Sequence, residues 1–393
     1  MISNVDSYIM PTYGKRKLEF ISGKGVYLLS SENKKYLDFG SGISVNSLGH
    51  CHPSLVKALK NQSTKLWHTS NLYLNKKQEN YAKLLCNYSF AEKVFFTNSG
   101  TESVECGIKV IKSYHNHHKN INKTKIITFD GAFHGRTFGS LSAQKNNIYS
   151  KVFKPLLPGF IKIPFNNIMA LKKNMNENIA GVIIEPIQGE GGIRPVTIKY
   201  LEELKKICDQ HKALLFLDEV QTGFGRSGKL FSYQWSNIEP DLMAVAKGIG
   251  SGFPMGACLT TKSASIGMQK GVHGSTFGGN PLAISVGTAV INEIMSKNFL
   301  SQVNQVSKYL WDELIKLKKD FNEITEIRGA GLLIGIKTKK ENYKISNLLS
   351  NNGLLTVTAS DNILRLAPPL IIKKKDVDKA IIIIRKVLQE LND

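Results

Sequence analysis

Residues 197–221 read TIKYLEELKKICDQHKALLFLDEVQ, and this stretch contains the pattern that decides the fold. In its first part, apolar Leu201, Leu204 and Ile207 recur at steps of three, which predicts an amphipathic helix over 197–211. In its second part, the apolar run that ends at Asp218 predicts a strand over 213–218 that is buried on both faces. A helix followed at once by a buried strand is typical of a parallel α/β sheet.

The same alternation extends over residues 93–260. A second helix is predicted over 100–116, opened by a Ser-Gly-Thr-Glu cap. Strands with apolar, β-branched or aromatic character are predicted over 94–97, 125–129, 181–185, 213–218 and 242–246. We therefore predict an α/β fold with a large, doubly wound, mostly parallel sheet that helices cover on both faces.

The segments on either side of this core have a different texture. A hairpin is predicted over 25–39, and a helix entered through Pro53 is predicted over 53–64. After Pro281 the pattern changes to long helices and a separate α+β block, which predicts a second, smaller domain. The elements predicted in that block are 329–336, 354–357, 363–366 and a helix over 376–391.

The composition limits the possible classes of protein. With 393 residues, 42% of them apolar, the chain can bury a large core, which excludes disorder as its main state. The formal net charge of +21 raises nucleic acid or anionic lipid as a partner. The basic residues are spread along the whole length, however, which favours a solvated lysine-rich surface. We therefore expect no nucleic-acid partner and no membrane partner.

The cysteines and the absence of long apolar runs bear on location. The five cysteines are odd in number and form no C-x-x-C pair, which favours reduced thiols in the cytoplasm. No stretch approaches the ~20 consecutive apolar residues that cross a bilayer, and the N-terminus lacks the apolar run of an export signal.

Polar residues follow each predicted strand, where open α/β sheets bind their ligands. They occupy 98–101, 130–136, 185–190, 218–221 and 247–248. Ser99-Gly100-Thr101 opens a helix, whose unpaired N–H groups favour an anion such as phosphate. Taken alone, this tripeptide favours an ordinary helix cap followed by a glycine turn.

Two charged residues stand at the ends of apolar runs. Asp218 ends a buried strand, where a carboxylate is costly unless a positive partner meets it. Lys247 is followed by Gly248, Gly250 and Gly252, which let the backbone bend around a ligand. A desolvated lysine can become an amine nucleophile. Either residue alone is also compatible with a structural ion pair.

Taken together, these features describe a single ligand. It carries a phosphate, an aldehyde for Lys247 to attack, and a ring nitrogen that Asp218 keeps protonated. Pyridoxal 5′-phosphate (PLP) has all three, and it acts as an electron sink when a lysine Schiff base holds it.

The sequence resembles the class III, or ornithine-type, aminotransferases of fold type I over nearly its whole length. The resemblance rests on nine stretches in one order, residues 42–53, 66–73, 98–102, 133–137, 185–191, 217–226, 246–248, 274–281 and 365–369. It implies a large PLP-binding domain over 51–285 and a small domain made of 1–50 and 286–393.

The resemblance also implies roles for the residues around the cofactor. Lys247 would form the Schiff base with the aldehyde, and Asp218 would bond the pyridinium nitrogen. The main-chain and hydroxyl donors that would hold the phosphate belong to Ser99, Gly100 and Thr101.

The cofactor ring and the neighbouring subunit complete this implied site. Phe133 would stack on one face of the ring, Val220 would cover the other, and Gln221 would lie near the ring hydroxyl. Thr276 would reach the phosphate of the neighbouring subunit, which makes a homodimer the smallest competent unit.

The implied reaction is a ping-pong transfer of the δ-amino group of N2-acetyl-L-ornithine to 2-oxoglutarate, as in arginine biosynthesis. Arg136 would bind a substrate carboxylate, and Ser275 would lie near the acyl-amino acid. Arg365 would hold the α-carboxylate of the keto acid and would pair with Glu190 when that carboxylate is absent. Succinyl-diaminopimelate, ornithine and 4-aminobutyrate remain open as donors, because each also places a primary amine at a distance from an anionic group.

Two competing motifs are weaker. The stretch 223–229 nearly matches a phosphate-binding loop, but Leu230 stands where that loop needs a hydroxyl for Mg²⁺. The histidines in 50–52 and 115–118 lack the spacing of a zinc site, so we expect no metal.

Overall fold

The structure, a computed structural model, describes residues 8–14, 18–144 and 148–392. Residues 1–7, on which the expectation of no export signal partly depends, lie outside the described residues. The strands, numbered in chain order, are β1 Phe20–Lys24, β2 Tyr27–Ser30, β3 Lys35–Asp38, β4 Lys93–Thr97, β5 Lys125–Phe129, β6 Phe160–Ile163, β7 Ile179–Ile184, β8 Ile187–Gln188, β9 Arg194–Pro195, β10 Leu214–Asp218, β11 Leu242–Val245, β12 Gly256–Thr260, β13 Ile324–Ala330, β14 Leu333–Thr338, β15 Leu354–Leu355, β16 Val357–Ala359 and β17 Ile363–Leu366.

Helices separate most of these strands. They are α1 Pro53–Ser63, α2 Lys76–Asn87, α3 Gly100–His117, α4 Phe138–Ser142, α5 Ile148–Lys151, α6 Ile168–Asn174, α7 Ile198–Gln210, α8 Pro281–Ile294, α9 Phe299–Asp320, α10 Asn342–Asn351 and α11 Lys374–Asn392. A left-handed turn lies at Ser41–Ser44, and short 3-10 turns lie at Ser232–Trp235, Lys247–Ile249 and Ala264–Gly267. Within the described residues, none of the helices has both the length and the apolar character needed for a bilayer crossing.

The central sheet has seven strands in the order β4-β12-β11-β10-β7-β5-β6. The registers between β11, β10, β7, β5 and β6 are parallel, whereas β12 runs antiparallel to both of its neighbours. All five strands predicted in this core are present. The strands β6 and β12 were not predicted and are additions to the expected sheet.

The two faces of the sheet are covered by different helices because side chains alternate along each strand. On β10, Leu214 and Phe216 belong to the same apolar cluster as Val104 and Ile111 of α3. Leu215 and Leu217 belong to the cluster that holds Leu201, Leu204 and Ile207 of α7. The predicted doubly wound arrangement is therefore confirmed.

A close approach between α3 and the sheet depends on a glycine. A Cβ at Gly107 would lie 2.3 Å from the ring of Phe216, closer than any real contact. Without that Cβ, α3 packs directly on β10, and its first turn lies at the carboxyl end of the sheet.

The remaining sheets contain strands from both ends of the chain. One has the order β1-β2-β3-β15, so residues 35–38 pair in parallel with residues 354–355. The other has the order β13-β14-β17-β16. The predicted boundaries at residues 50 and 285 stay a prediction, and the pairing of β3 with β15 is the kind of contact that such a division requires.

The predicted segment 329–336 is wrong as a single element. It spans the turn between β13 and β14, because the chain reverses at Gly331, which has φ +57°. A glycine adopts this left-handed conformation without steric cost, so the apolar run on both sides folds into a hairpin.

Candidate active site

A cavity of about 440 Å³ lies at the carboxyl ends of the parallel strands. Its walls come from the segments that follow β4, β5, β7, β10 and β11, where the sequence placed its polar groups. The predicted site residues among its lining are Ser99, Gly100, Thr101, Phe133, Arg136, Glu190, Asp218, Val220, Gln221 and Lys247. Ten residues spread over 149 positions thus meet in one space, because parallel strands end at the same edge of the sheet.

Asp218 is held at the end of β10 by two hydrogen bonds. Its Oδ1 accepts from the backbone N–H of Val220 at 3.1 Å, and its Oδ2 lies 2.7 Å from Nδ1 of His134. Both side chains are buried. Burial disfavours a charged imidazole, but the hydrogen bond and charge of Asp218, together with the charge of Glu185, raise the pKa of His134 above its ordinary value. The hydrogen-bond partner that the buried Asp218 requires is therefore His134.

Lys247 lies in the cavity at the start of a 3-10 turn after β11. Its backbone has φ +48°, a conformation that L residues rarely adopt and that is common at functional sites. Burial, followed by the charge of Arg365, lowers the pKa of Lys247 to about 8. A substantial fraction of this amine is therefore neutral, and hence nucleophilic, at mildly alkaline pH.

The glycines after Lys247 have a different purpose from the one expected. A Cβ at Gly248 would lie 2.8 Å from Oγ of Ser47, and one at Gly250 would lie 2.0 Å from the carbonyl oxygen of Phe253. These two glycines allow close packing within the protein. Only Gly252 lines the cavity.

The anion-binding end of the cavity is the first turn of α3. Ser99 caps this helix, since its Oγ accepts from the N–H of Glu102 at 3.3 Å. Oγ1 of Thr101 lies 2.9 Å from Oγ of Ser140. A Cβ at Gly100 would lie 2.8 Å from Val220, so only glycine leaves this backbone position open. Free N–H groups at a helix start, next to a hydroxyl, form a suitable cradle for phosphate.

Arg365 lies behind the cavity wall. It is 1% exposed, and its Nη1 donates to Oε1 of Glu190 at 2.7 Å and to Oε1 of Gln221 at 3.0 Å. Its Nε has no hydrogen-bond partner among the described residues. Arg365 does not itself line the cavity, so a ligand reaches its guanidinium only when Glu190 moves.

Besides Arg365, two further predicted residues do not line the cavity. Oγ of Ser275 accepts from Nδ2 of Asn98 at 3.3 Å, and Asn98 does line the cavity. Thr276 is exposed on the surface of its own chain. Its expected contact with a neighbouring subunit stays a prediction.

Sequence reasoning assigned no role to Glu185, and it overlooked His134. Glu185 is buried, and its carboxylate accepts from the N–H of Phe133 at 2.9 Å and of Gly189 at 3.0 Å. Burial raises the pKa of Glu185 to about 7. Glu185 directly follows β7, and His134 lies in the loop after β5, five residues beyond Phe129. Their places after these two strands were the available signal for them.

Two of the histidines considered as metal ligands have protein partners. Nε2 of His50 lies 2.8 Å from Oδ2 of Asp38, and Nε2 of His115 lies 2.7 Å from the carbonyl oxygen of Ala180. Within the described ranges, no group of three His, Cys, Asp or Glu side chains could hold a metal ion.

Comparison with known proteins gives consistent matches over the whole chain. A family model described as "Aminotransferase class-III" matches residues 10–388. An acetylornithine aminotransferase from Agrobacterium fabrum is 48% identical over 92% of this chain and 91% of its own length. One from Mesorhizobium japonicum is 45% identical over 98% of this chain and 97% of its own length.

Solved structures of similar proteins have the same fold. The ornithine aminotransferase of Toxoplasma gondii superposes with a TM-score of 0.94 at 28% identity, covering 98% of this chain and 93% of that one. The N-acetylornithine aminotransferase of Stenotrophomonas maltophilia has a TM-score of 0.85 at 33% identity, covering 97% and 98% of the two chains.

Proposed function

The chain belongs to the class-III aminotransferase family, and we propose that it transfers the δ-amino group of N2-acetyl-L-ornithine to 2-oxoglutarate. The products are N-acetyl-L-glutamate 5-semialdehyde and L-glutamate. The observation that carries this assignment is the 44–48% identity, over 91% or more of each chain, to relatives named acetylornithine aminotransferase.

The cofactor is PLP, and the residues of the cavity fit it. The first turn of α3 with Thr101 would hold the phosphate, and Lys247 would hold the aldehyde carbon. The buried carboxylate of Asp218 would face the ring nitrogen, while Phe133 and Val220 would enclose the ring and Gln221 would lie near its hydroxyl. When bound, PLP supplies a carbonyl that receives the amino group and a ring that takes up an electron pair.

Two side chains would perform the proton chemistry. Nζ of Lys247 has a lowered pKa, so it would take the proton from the δ-carbon of the donor and deliver it to the carbon that had carried the aldehyde of the cofactor. In the second half-reaction it would move a proton from that carbon to the α-carbon of the product glutamate. Asp218 would keep the ring nitrogen protonated, because a buried carboxylate favours a cation beside it. His134 fixes the orientation of that carboxylate through its 2.7 Å contact.

The pair of Arg365 and Glu190 would let one pocket accept two unlike substrates. The donor presents an uncharged carbon chain beside the reacting amine, whereas 2-oxoglutarate presents a carboxylate there. With Glu190 against Arg365, the positive charge is masked and the donor fits. When Glu190 swings away, the planar fork of Arg365 can bind the α-carboxylate with two hydrogen bonds. Arg136, which lines the same cavity, would bind another carboxylate, and Ser275 would lie near the acyl-amino acid.

Glu190→Gln should separate the two half-reactions. Without the carboxylate, the charge of Arg365 stays unmasked, so we expect kcat/KM for acetylornithine to fall roughly tenfold or more, since a hydrogen bond to a charged group is worth about 1.5–3 kcal/mol. The value for 2-oxoglutarate should change less. Single-turnover kinetics of each half-reaction measure both values, and Glu341→Gln, at an exposed residue that forms an ion pair with Lys344, is the control. If the ratio of kcat/KM for acetylornithine to that for 2-oxoglutarate were unchanged, Glu190 would not mask the charge of Arg365.

The pH dependence of cofactor binding should reflect the lowered pKa of Lys247. Because the folded protein favours the neutral amine above about pH 8, attack on the aldehyde should accelerate as pH rises through about 8 and then level off. Stopped-flow absorbance of apoenzyme mixed with PLP measures this rate.

The lowered pKa of Lys247 also affects the stability of the fold. Below pH 8 the buried amine is charged and destabilises the folded protein, and this destabilisation is relieved as pH rises from about 8 to the ordinary lysine pKa near 10.5. A midpoint near pH 10 in the rate of PLP attachment would contradict the inferred burial of the Lys247 amine.

A panel of donors tests the proposed substrate. We expect kcat/KM for acetylornithine to exceed those for succinyl-diaminopimelate, ornithine and 4-aminobutyrate, each measured with 2-oxoglutarate as acceptor. The margin should be about tenfold or more, which is what a pocket shaped for one substrate achieves. If another donor of the panel gives the highest value, the donor assignment is wrong while the PLP chemistry stands.

A homodimer is the proposed assembly. Large apolar side chains are exposed close to Ser275 and Thr276, namely Trp67, Leu72, Leu74 and Phe277. Asn71 ties this segment to the 275–278 loop through bonds to the carbonyls of Ser275 and Gly278, both at 3.0 Å. An exposed apolar patch of this kind favours a protein interface. The proposed location is the cytoplasm, since reducing conditions suit the free cysteines of the chain.

A further inference from the structure

A second cavity lies on the side of α3 away from the sheet centre, and the proposed transamination does not use it. It measures about 800 Å³ and is lined by the edge strands β4 and β12, by α3 and by the segment after β12. Two cysteines are among its lining residues, Cys106 on α3 and Cys258 on β12. Each is 1% exposed.

The two thiols lie in one buried cluster and line the same cavity, although the residues lie on different elements and 152 positions apart. A hydrogen bond between their side chains is the largest cause of the pKa shift of each thiol. Cys258 is fixed between two strands, since its register partners are Phe95 of β4 and Ala244 of β11. The rigid sheet therefore presents one sulfur to the other.

A histidine and a lysine also face this pair. Nζ of Lys109 lies 3.2 Å from Nδ1 of His273. An ammonium group can only donate, so Nδ1 accepts and the ring proton stands on Nε2. The His273 side chain in turn hydrogen-bonds to Cys106. Its ring is fixed against Phe95, with centroids 4.6 Å apart.

All of these donors stabilise a negative charge on one sulfur. The hydrogen bond from Cys258 lowers the pKa of Cys106 most, burial raises this pKa, and His273 and Lys109 lower it further. The net effect is a pKa of about 6 for Cys106. The pKa of Cys258 is raised by the same hydrogen bond and by burial. One thiolate beside one thiol is the arrangement of an attacking and a resolving cysteine.

We propose that Cys106 and Cys258 form a redox-active pair that hydrogen peroxide converts to an intrachain disulfide. The Cys106 thiolate attacks one peroxide oxygen, the O–O bond breaks, and hydroxide leaves, so that Cys106 becomes a sulfenic acid. The sulfur of Cys258 then attacks the sulfenic sulfur, loses its proton to the departing hydroxyl, and releases water. Two thiols are oxidised by two electrons, and one peroxide is reduced to two waters.

Cys208 has a different environment, although it is equally buried. Burial, reinforced by the charge of Asp241, raises its pKa. Cys86 is half-buried, and burial raises its pKa as well. Packing alone therefore gives inert thiols in this chain, and the distinguishing feature of Cys106 is the set of donors around it.

The disulfide would link two elements that also serve the cavity of the candidate active site. Its helix, α3, begins at Gly100 and Thr101, and β12 pairs with β11, which leads to Lys247. His273 precedes Ser275 and Thr276 on the same loop. The inference does not depend on the substrate, because the test below needs no turnover.

Peroxide treatment of the purified holoenzyme tests the proposal. We expect the denatured mass to fall by about 2 Da, the loss of two hydrogens, and non-reducing peptide mapping to recover the Cys106 and Cys258 peptides as one species. Cys106→Ser and Cys258→Ser should each abolish this species, whereas Cys86→Ser should retain it. Two separate peptides after peroxide, or a disulfide between other cysteines only, would overturn the proposal.

A second variant tests the donors without removing either thiol. His273→Asn removes the bond to Cys106 and leaves the two sulfurs in contact, so oxidation at pH 7 should be slowed about tenfold, in step with the smaller thiolate fraction. The rate is followed by mass spectrometry of quenched samples. An unchanged rate would show that His273 does not activate Cys106 and would overturn that part of the arrangement.

Discussion

Lys247→Arg is expected to abolish transamination, with kcat reduced by at least about 10³-fold, because nucleophilic attack and proton transfer both depend on this amine. Arginine keeps the positive charge and much of the volume of lysine, so the fold should persist. Its pKa lies above 12, however, and the side chain stays protonated and cannot attack a carbonyl. The partly buried Lys247 differs in this respect, since its pKa is lowered to about 8.

Two measurements separate this prediction from general damage to the protein. Steady-state kinetics give kcat, and borohydride reduction of the holoenzyme followed by peptide mapping shows which lysine carries the cofactor. Lys206→Arg, on the exposed side of α7, is the matched control and should be active and labelled normally. Labelling of another lysine in the wild-type protein would refute the central role of Lys247.

Asp218→Asn should lower kcat by about 10²–10³-fold, which corresponds to about 3–4 kcal/mol of lost transition-state stabilisation at 1.36 kcal/mol per tenfold. The substitution keeps the shape of the side chain and an oxygen that can accept the bond from Nδ1 of His134. It removes the negative charge that would hold a proton on the ring nitrogen of PLP. The pKa of His134 should fall too, since the hydrogen bond and charge of Asp218 help to raise it.

The absorbance of bound PLP and the pH profile of kcat measure these consequences. A purely structural role for Asp218 would lower stability and leave both the spectrum and the profile of the remaining activity unchanged. Asp209→Asn serves as the control, because the Asp209 side chain is exposed and forms an ion pair with the Lys205 ammonium, at 2.7 Å. Full activity of Asp218→Asn would exclude the proposed contact with the ring.

The link between Asp218 and His134 shows why the candidate site could be predicted only in part. The apolar run before Asp218 located it at the end of a buried strand, and a buried carboxylate requires a partner. Which residue supplies that partner depends on how the loop that contains His134 packs against the end of β10. The two residues lie 84 positions apart in the chain. Nothing in the local pattern distinguishes His134 from its neighbours in the same loop.

The two strands that were not predicted from the sequence, β6 and β12, have a similar explanation. Phe160–Ile163 is a short strand at the edge of the sheet, and Gly256–Thr260 contains Gly, Ala and Cys, which have little strand preference. Both exist because they pair with neighbours already in place, so their stability comes from the sheet. The hairpin at Gly331 was missed because the apolar pattern continues across the turn.

The sequence by itself determined the class of fold and the set of residues that could form the site. Alternating helix and strand periodicity defines a parallel sheet, and residues that follow such strands are brought to one edge by the topology alone. The pairing of Arg365 with Glu190 was already implied by the family resemblance and is present in the structure. The tertiary structure alone decided the pairing of Asp218 with His134 and the placement of Cys106 beside Cys258. These contacts depend on distances between segments far apart in the chain, and local periodicity carries no information about those distances.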